Sequence, residues 1–227
     1  MRERIHDAAG RVGRDPAGVL LVAVSKTVPA DRLRAAVAAG VTTLGENRVQ
    51  EAAEKAPLVP GAAWHLVGHL QGNKARAALA LFDVVESLDS LDLARRLDRL
   101  VADGAAALRR HPDARLPVLL QVNVDADPAK AGFSPEELAA TLPELLALPH
   151  LRVDGLMTVG RLVADPADAR PTFVALHRLS ERLCASEPGL GAALSMGMSD
   201  DFEVAVEEGA TIVRVGRLLF GSRPTAG

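Results

Sequence analysis

Two cations at the ends of apolar runs carry the clearest chemical signal in this sequence. Lys26 closes the run Val19-Leu20-Leu21-Val22-Ala23-Val24-Ser25. An amine at the end of a buried strand is partly desolvated, which lowers its pKa and suits it to imine formation with a carbonyl compound. A lysine that simply snorkels into solvent fits the same position. Arg214 lies within Ile212-Val213-Arg214-Val215-Gly216. A guanidinium in so apolar a strand should face a fixed acceptor, either a bound group or a barrel carboxylate such as Glu46. Ser199, after the glycine-bearing turn Gly197-Met198, and Gly216, after Arg214, offer a hydroxyl, free backbone N–H groups and a helix dipole to an anion such as phosphate. Read singly, Ser199 is equally a helix cap and Gly216 a turn glycine; their occurrence at neighbouring strand ends favours the anion site.

Other constellations are weaker. His65 and His69, with Glu46 or Glu86, invite a metal reading, but His69 lies past the end of the strand that holds His65, and no HExxH or Cys/His spacing is present. No G-x-S-x-G elbow supports a Ser-His-Asp hydrolase. Cys184 is the one cysteine and falls in an apolar-periodic stretch, where a buried, inert thiol in a reducing cytosol is expected.

The elements that must position these groups follow from alternation. Short β-rich runs occur at Val19–Ser25, Thr42–Gly45, Ala63–Gly68, Val84–Ser87, Pro117–Val124, Val153–Thr158, Ala193–Met196 and Thr211–Val215. Between them, apolar residues recur three and four apart over Asp31–Ala39, Val49–Ala56, Asn73–Leu81, Leu91–Leu108, Pro135–Leu148, Pro171–Ala185 and Asp200–Glu208. Continuous apolar strands imply burial on both faces, as in parallel sheets. Eight βα units predict a single (β/α)8 TIM barrel over residues 1–227, ahead of a doubly wound open sheet, which would show fewer strands and a glycine fingerprint after the first. Ser134-Pro135-Glu136-Glu137 and Ser199-Asp200-Asp201 read as helix starts, and Gly40, Gly104 and Gly209 as helix stops. Gly160 to Asp168 reads as a longer loop. In such a barrel the C-terminal strand ends form the active face, where Lys26, Ser199, Arg214 and Gly216 all fall.

Composition narrows the partners. Apolar residues are 48% and charged residues 24% of the 227, so a sizeable core needs no staples. The formal charge is −3, from 26 basic and 29 acidic side chains without a basic block, which argues against a nucleic-acid face and for small molecules or proteins. Met1 to Arg14 is charged and amphipathic, neither a signal peptide nor a membrane span, so a cytoplasmic location is expected.

With these residues placed, the chain resembles the pyridoxal-phosphate homeostasis protein family, single-domain barrels similar to the N-terminal domain of alanine racemase. The resemblance runs from about Leu20 to Gly221. It is carried by Leu21-Val22-Ala23-Val24-Ser25-Lys26-Thr27, Leu44-Gly45-Glu46-Asn47-Arg48-Val49-Gln50-Glu51 and Trp64-His65-Leu66-Val67-Gly68-His69-Leu70-Gln71-Gly72-Asn73-Lys74. Gln121-Val122-Asn123-Val124, Gly155-Leu156-Met157-Thr158, Leu194 through Phe202, Val213 through Arg217, and Phe220-Gly221 continue it in order. The resemblance implies a Schiff base between Lys26 and pyridoxal 5′-phosphate, phosphate held by Ser199 and the Gly216-Arg217 backbone, and Arg214 facing the pyridine nitrogen. It further implies that Asn47, Met157 and Met196 line the ring pocket, with Asn123 near it. The chain departs from the family pattern at Val159-Gly160-Arg161-Leu162, where an apolar residue and prolines are expected.

Arginine at the ring nitrogen would leave that nitrogen neutral and weaken carbanion stabilisation. The alternative of a pyridoxal-phosphate-dependent amino-acid racemase or decarboxylase meets a further obstacle. Two-base racemisation in the resembled enzymes uses a tyrosine and a second domain; this sequence has no tyrosine and ends soon after the eighth strand, leaving His69 or Cys184 as substitute bases. The expectation is therefore a monomeric reservoir or carrier of the cofactor, without turnover of its own, that affects amino-acid and vitamin B6 balance. Apoenzymes that use the cofactor are the candidate protein partners, and no nucleic acid or membrane partner is expected.

Overall fold

The computed structural model describes residues 1–104, 115–161 and 163–221. Eight parallel strands close into a barrel in sequence order: β1 (Leu20–Val24), β2 (Thr43–Glu46), β3 (Ala63–Leu66), β4 (Val84–Leu88), β5 (Leu116–Gln121), β6 (Leu151–Met157), β7 (Ala193–Ser195) and β8 (Ile212–Val215). Closure is made by β1 against β8, with Ala23 beside Val215. The helices are α1 (Arg2–Arg11), α2 (Ala30–Ala38), α3 (Val49–Lys55), α4 (Ala75–Leu81), α5 (Leu91–Ala102), α6 (Pro135–Leu146), α7 (Arg170–Ser186), α8 (Phe202–Glu207) and α9 (Arg217–Phe220).

Strand alternation sorts the side chains into two cores. Val22, Val24, Val67, Leu119, Met157 and Ile212 pack together inside the barrel. Ala23, Leu44, Trp64, Leu156, Leu194, Val213 and Val215 point outward and join the larger core beneath the helices. Bulges in the β4–β5 and β5–β6 pairings shift the register locally. On β6, Gly155 runs so close to β7 that a Cβ there would lie 2.0 Å from the Ala193 carbonyl oxygen.

The helix signals operate by the expected chemistry. Ser134 accepts the Glu137 N–H at 3.1 Å, and Gly40, Gly104 and Gly209 end helices with φ of 93°, 76° and 104°. The start proposed at Ser199 is corrected: α8 begins at Phe202 behind Asp201, whose carboxylate turns back to the Met198 N–H at 2.6 Å. The run Pro117–Val124 ends as a strand at Gln121, because the Asn123 side chain folds the following loop by pairing with both backbone groups of Asp127. The helix expected over Leu91–Leu108 is seen to Ala102; its last four residues fall outside the described residues. Within the expected loop Gly160–Asp168, Pro166–Ala169 forms a 3-10 turn, and Leu162 lies outside the described residues. The helix α9 escapes the periodicity reading, whereas the charged, amphipathic Met1–Arg14 contains the short N-terminal helix α1, tied to α8 by Arg4–Glu203 and Arg11–Glu207 ion pairs.

Candidate functional site

The interior core is interrupted by polar groups that close on one another. Arg214, on β8, follows Ile212 on the inward face and is 4% exposed. Its Nη1 donates to Ser195 Oγ at 2.6 Å, and its Nη2 to the Thr158 carbonyl at 2.6 Å. Ser195 in turn donates to Glu86 Oε2 at 2.5 Å, and Glu86 Oε1 lies 2.6 Å from His65 Nδ1. An ionised carboxylate only accepts, so the His65 proton sits on Nδ1. Burial acts against the Glu86 charge, but the hydrogen bond from His65 and the charges of His65 and Arg214 hold its carboxyl below the ordinary glutamate range. Burial also draws the Arg214 guanidinium below its usual value, opposed by Glu86 and Asp201. Arg214 thus keeps its charge through a serine relay to Glu86. The alternative partner Glu46 is corrected, because it shares the outward face with Leu44 and pairs with Lys55 of α3 at 2.7 Å.

Above Arg214 the β1 and β8 ends approach each other. A Cβ on Gly216 would sit 2.9 Å from the Val24 carbonyl oxygen, so only glycine permits this contact. Lys26 lies two residues past the end of β1, whose inward residues are Val22 and Val24, and is exposed in the turn there. Among the described residues, the backbone N–H groups of Ser199, Asp200, Gly216 and Arg217 have no acceptor, and the Ser199 hydroxyl has no partner. An Arg217–Asp200 ion pair ties the two loops that carry these groups. The donor set fits a phosphorylated aromatic aldehyde: an amine at the rim, a cradle of amides and a hydroxyl for a dianion, and a buried cation below. Two hydrogen bonds of Arg214 leave its Nε–H and further Nη protons to meet a ring acceptor.

The remaining expected residues are distributed more widely. Met157 is in the interior core, whereas Met196 alternates with inward Ser195 and packs in the outer core. Asn47 is half-buried after β2, against Gly68, where a Cβ would lie 2.5 Å from the Asn47 carbonyl oxygen. Asn123 is half-buried with its amide committed to its own loop. Arg217 is exposed. His69 stands on the rim, its Nδ1 2.6 Å from Asp89 Oδ2, between two open depressions of about 510 and 640 Å³. Cys184 lies on α7 in the outer layer, near the Leu190 and Gly191 carbonyls. No group of three or more metal-ligating side chains occurs among the described residues. No helix is long and apolar enough to cross a membrane among the described residues.

Sequence reasoning missed the roles of Glu86, Ser195 and His65 as the support beneath Arg214. Their inward register on β4, β7 and β3 was the available signal, since each is a polar residue within a run buried on both faces.

The family profile of the alanine racemase N-terminal domain matches residues 2–224. The chain is 44% identical over 224 residues to the pyridoxal phosphate homeostasis protein of Pseudomonas aeruginosa, covering 97% of this chain and 91% of that one. It is 39% identical over 238 residues to the protein of the same name from Homo sapiens, covering 98% and 84%. PipY of Synechococcus elongatus PCC7942, solved with PLP bound, superimposes with a TM-score of 0.82 at 40% identity, over 96% of this chain and all (100%) of PipY. An alanine racemase from Clostridium difficile 630 shares the fold at 13% identity and a TM-score of 0.72, this chain spanning 60% of its length. By the extent of these matches and the barrel they have in common, the chain belongs to the pyridoxal phosphate homeostasis protein family, within the wider alanine racemase N-terminal domain family.

Proposed function

We propose that this protein, as one domain, binds pyridoxal 5′-phosphate at the barrel mouth through Lys26 and serves cofactor homeostasis rather than a reaction of its own. The observation that carries the reading is the convergence at one end of the barrel of a lysine just past β1, unpaired amides on two tied loops after β7 and β8, and a buried arginine on β8. It is supported by PipY, which is 40% identical and was solved with PLP bound. When bound, the cofactor supplies an aldehyde for covalent linkage and a ring that accepts electrons.

The chain's own residues divide the work. The Lys26 amine attaches the aldehyde; Ser199 and the amides of Gly216 and Arg217 hold the phosphate. Arg214, kept charged by Ser195 and Glu86, faces the ring nitrogen as a donor. Because an arginine pairs with that nitrogen without giving up its proton, the ring remains a weak electron sink, which favours retention of cofactor over carbanion chemistry. Met157 and Asn47 border the ring; Asn123 and Met196 support the surrounding wall and loop. We further propose a monomer in the cytosol that passes cofactor to apoenzymes.

The test is borohydride reduction of cofactor-loaded protein followed by peptide mapping, with Lys26→Ala alongside. The expected result is a pyridoxyl label on Lys26 and loss of the visible absorbance in a variant that still folds. A label on Lys74 or Lys130 instead would refute the assignment. Amino-acid racemisation at an ordinary enzymatic rate, abolished by Lys26→Ala, would replace the carrier reading with a racemase.

A further inference from the structure

The backbone on both sides of Lys26 is held from outside the barrel. Ser25 leaves β1 with its N–H on the Gly45 carbonyl at 2.8 Å. The Ser25 carbonyl, part of the peptide group shared with Lys26, accepts from Lys55 Nζ at 2.9 Å. On the other side, Thr27 has φ of 64°, in the left-handed region that is costly for a β-branched residue. Its N–H donates to Glu51 Oε2 at 3.1 Å. Lys55 Nζ also reaches Glu46 Oε1 at 2.7 Å and Glu51 Oε2 at 3.3 Å, and Ser25 Oγ donates to Glu46 Oε1 at 2.8 Å.

All three ammonium protons of Lys55 therefore have acceptors, and its side chain is only 12% exposed. Burial raises the Glu46 carboxyl, against the pull of Lys55 and Ser25. Burial also opposes the Glu51 charge, but the Thr27 N–H and Lys55 prevail and hold that carboxyl below its ordinary range. Such a cluster in the layer between barrel and helices carries a desolvation cost that an apolar pair would avoid. What an apolar pair could not do is bind the C=O before Lys26 and the N–H after it.

We propose that Lys55 and Glu51 are positioning residues that lock the Ser25–Lys26–Thr27 turn, so that the Lys26 amine is presented to a ligand aldehyde in a fixed direction. The proposal rests on Lys26 being the attachment point. A turn ordered beforehand spends no binding energy on ordering, so loosening it weakens attachment without touching the ligand.

The experiment compares Lys55→Met, Glu51→Ala and Glu51→Gln with Ala53→Gly, an exposed position on α3 that weakens the helix without reaching the turn. In cofactor-free protein, exchange of the Thr27 amide should quicken roughly tenfold or more in Lys55→Met and Glu51→Ala, and stay near wild type in Ala53→Gly. With pyridoxal phosphate, the apparent Kd of the same two variants should rise roughly tenfold, equivalent to about 1.4 kcal/mol. Glu51→Gln, whose amide oxygen still accepts from Thr27, should recover most of the affinity.

Wild-type affinity in both Lys55→Met and Glu51→Ala, or an equal loss in Ala53→Gly, overturns the proposal. If Lys55→Met does not fold, Glu51→Ala at its more exposed position carries the test. A borohydride label on another lysine of the wild type overturns the cofactor assignment and this proposal together. A label on Lys26 with unaltered affinity in the variants overturns this proposal alone.

Discussion

Replacing Glu86 by glutamine removes one charge from a site with no exposure, and the structure allows the consequence to be worked through. Glu86 receives His65 Nδ1 on one oxygen and Ser195 Oγ on the other, and Ser195 accepts from Arg214. Glutamine preserves shape but leaves the 4% exposed Arg214 without its main counter-charge, Asp201 being the weaker carboxylate that acts on it among the described residues. Breaking a buried pair from one side costs about 3–5 kcal/mol. Set against a domain stability of about 5–15 kcal/mol, Glu86→Gln should lie among the most damaging conservative changes in the chain. Glu86→Leu combined with Arg214→Met removes both charges and should be less destabilising than Glu86→Gln alone. The assay is urea unfolding of cofactor-free protein, read by the midpoint at unchanged m-value. A cost below about 1 kcal/mol for Glu86→Gln would show that Arg214 does not depend on Glu86, and would refute the relay through Ser195.

The same relay has a pH signature. Glu86 titrates below its unfolded value of about 4.3, so its contribution to stability is fully present above that pH and is lost as pH falls through the lower folded pKa. Glu46 and Asp201 are raised by burial and act with the opposite sign, their contribution being lost as pH rises through their folded values. Acid unfolding followed from neutrality should therefore lose part of its steep limb in Glu86→Gln; an identical limb would count against the assignment. At Gly216, alanine places a Cβ 2.9 Å from the Val24 carbonyl, and the strand ends must part. Gly216→Ala should cost about 1–3 kcal/mol and weaken cofactor and inorganic phosphate binding together, as measured by unfolding and titration calorimetry. Binding of both at wild-type strength would remove Gly216 from the cradle.

The barrel and its strand order were legible in the sequence because each strand is a short apolar run and each crossover carries helical period, signals that depend only on neighbouring residues. Lys26, Ser199, Arg214 and Gly216 were legible for a related reason: polar or glycine residues at the ends of such runs must fall on one face of a parallel barrel. What local pattern could not decide was pairing across the barrel. Glu46 and Glu86 are both carboxylates near the ends of strands, on β2 and β4, yet alternation turns Glu46 outward to Lys55 and Glu86 inward to the Arg214 relay. Met196 and Ser195 differ by one residue and face opposite cores. Asn123 was identifiable as a polar strand-end residue, but its commitment to the Asp127 backbone depends on the loop that follows it. The hold on Lys26 is non-local as well, joining Ser25 and Thr27 to Lys55 and Glu51 across the β1–α3 interface. Residue type and period are written along the chain; which charge meets which is set by register and closure, and these exist only once the eighth strand has joined the first.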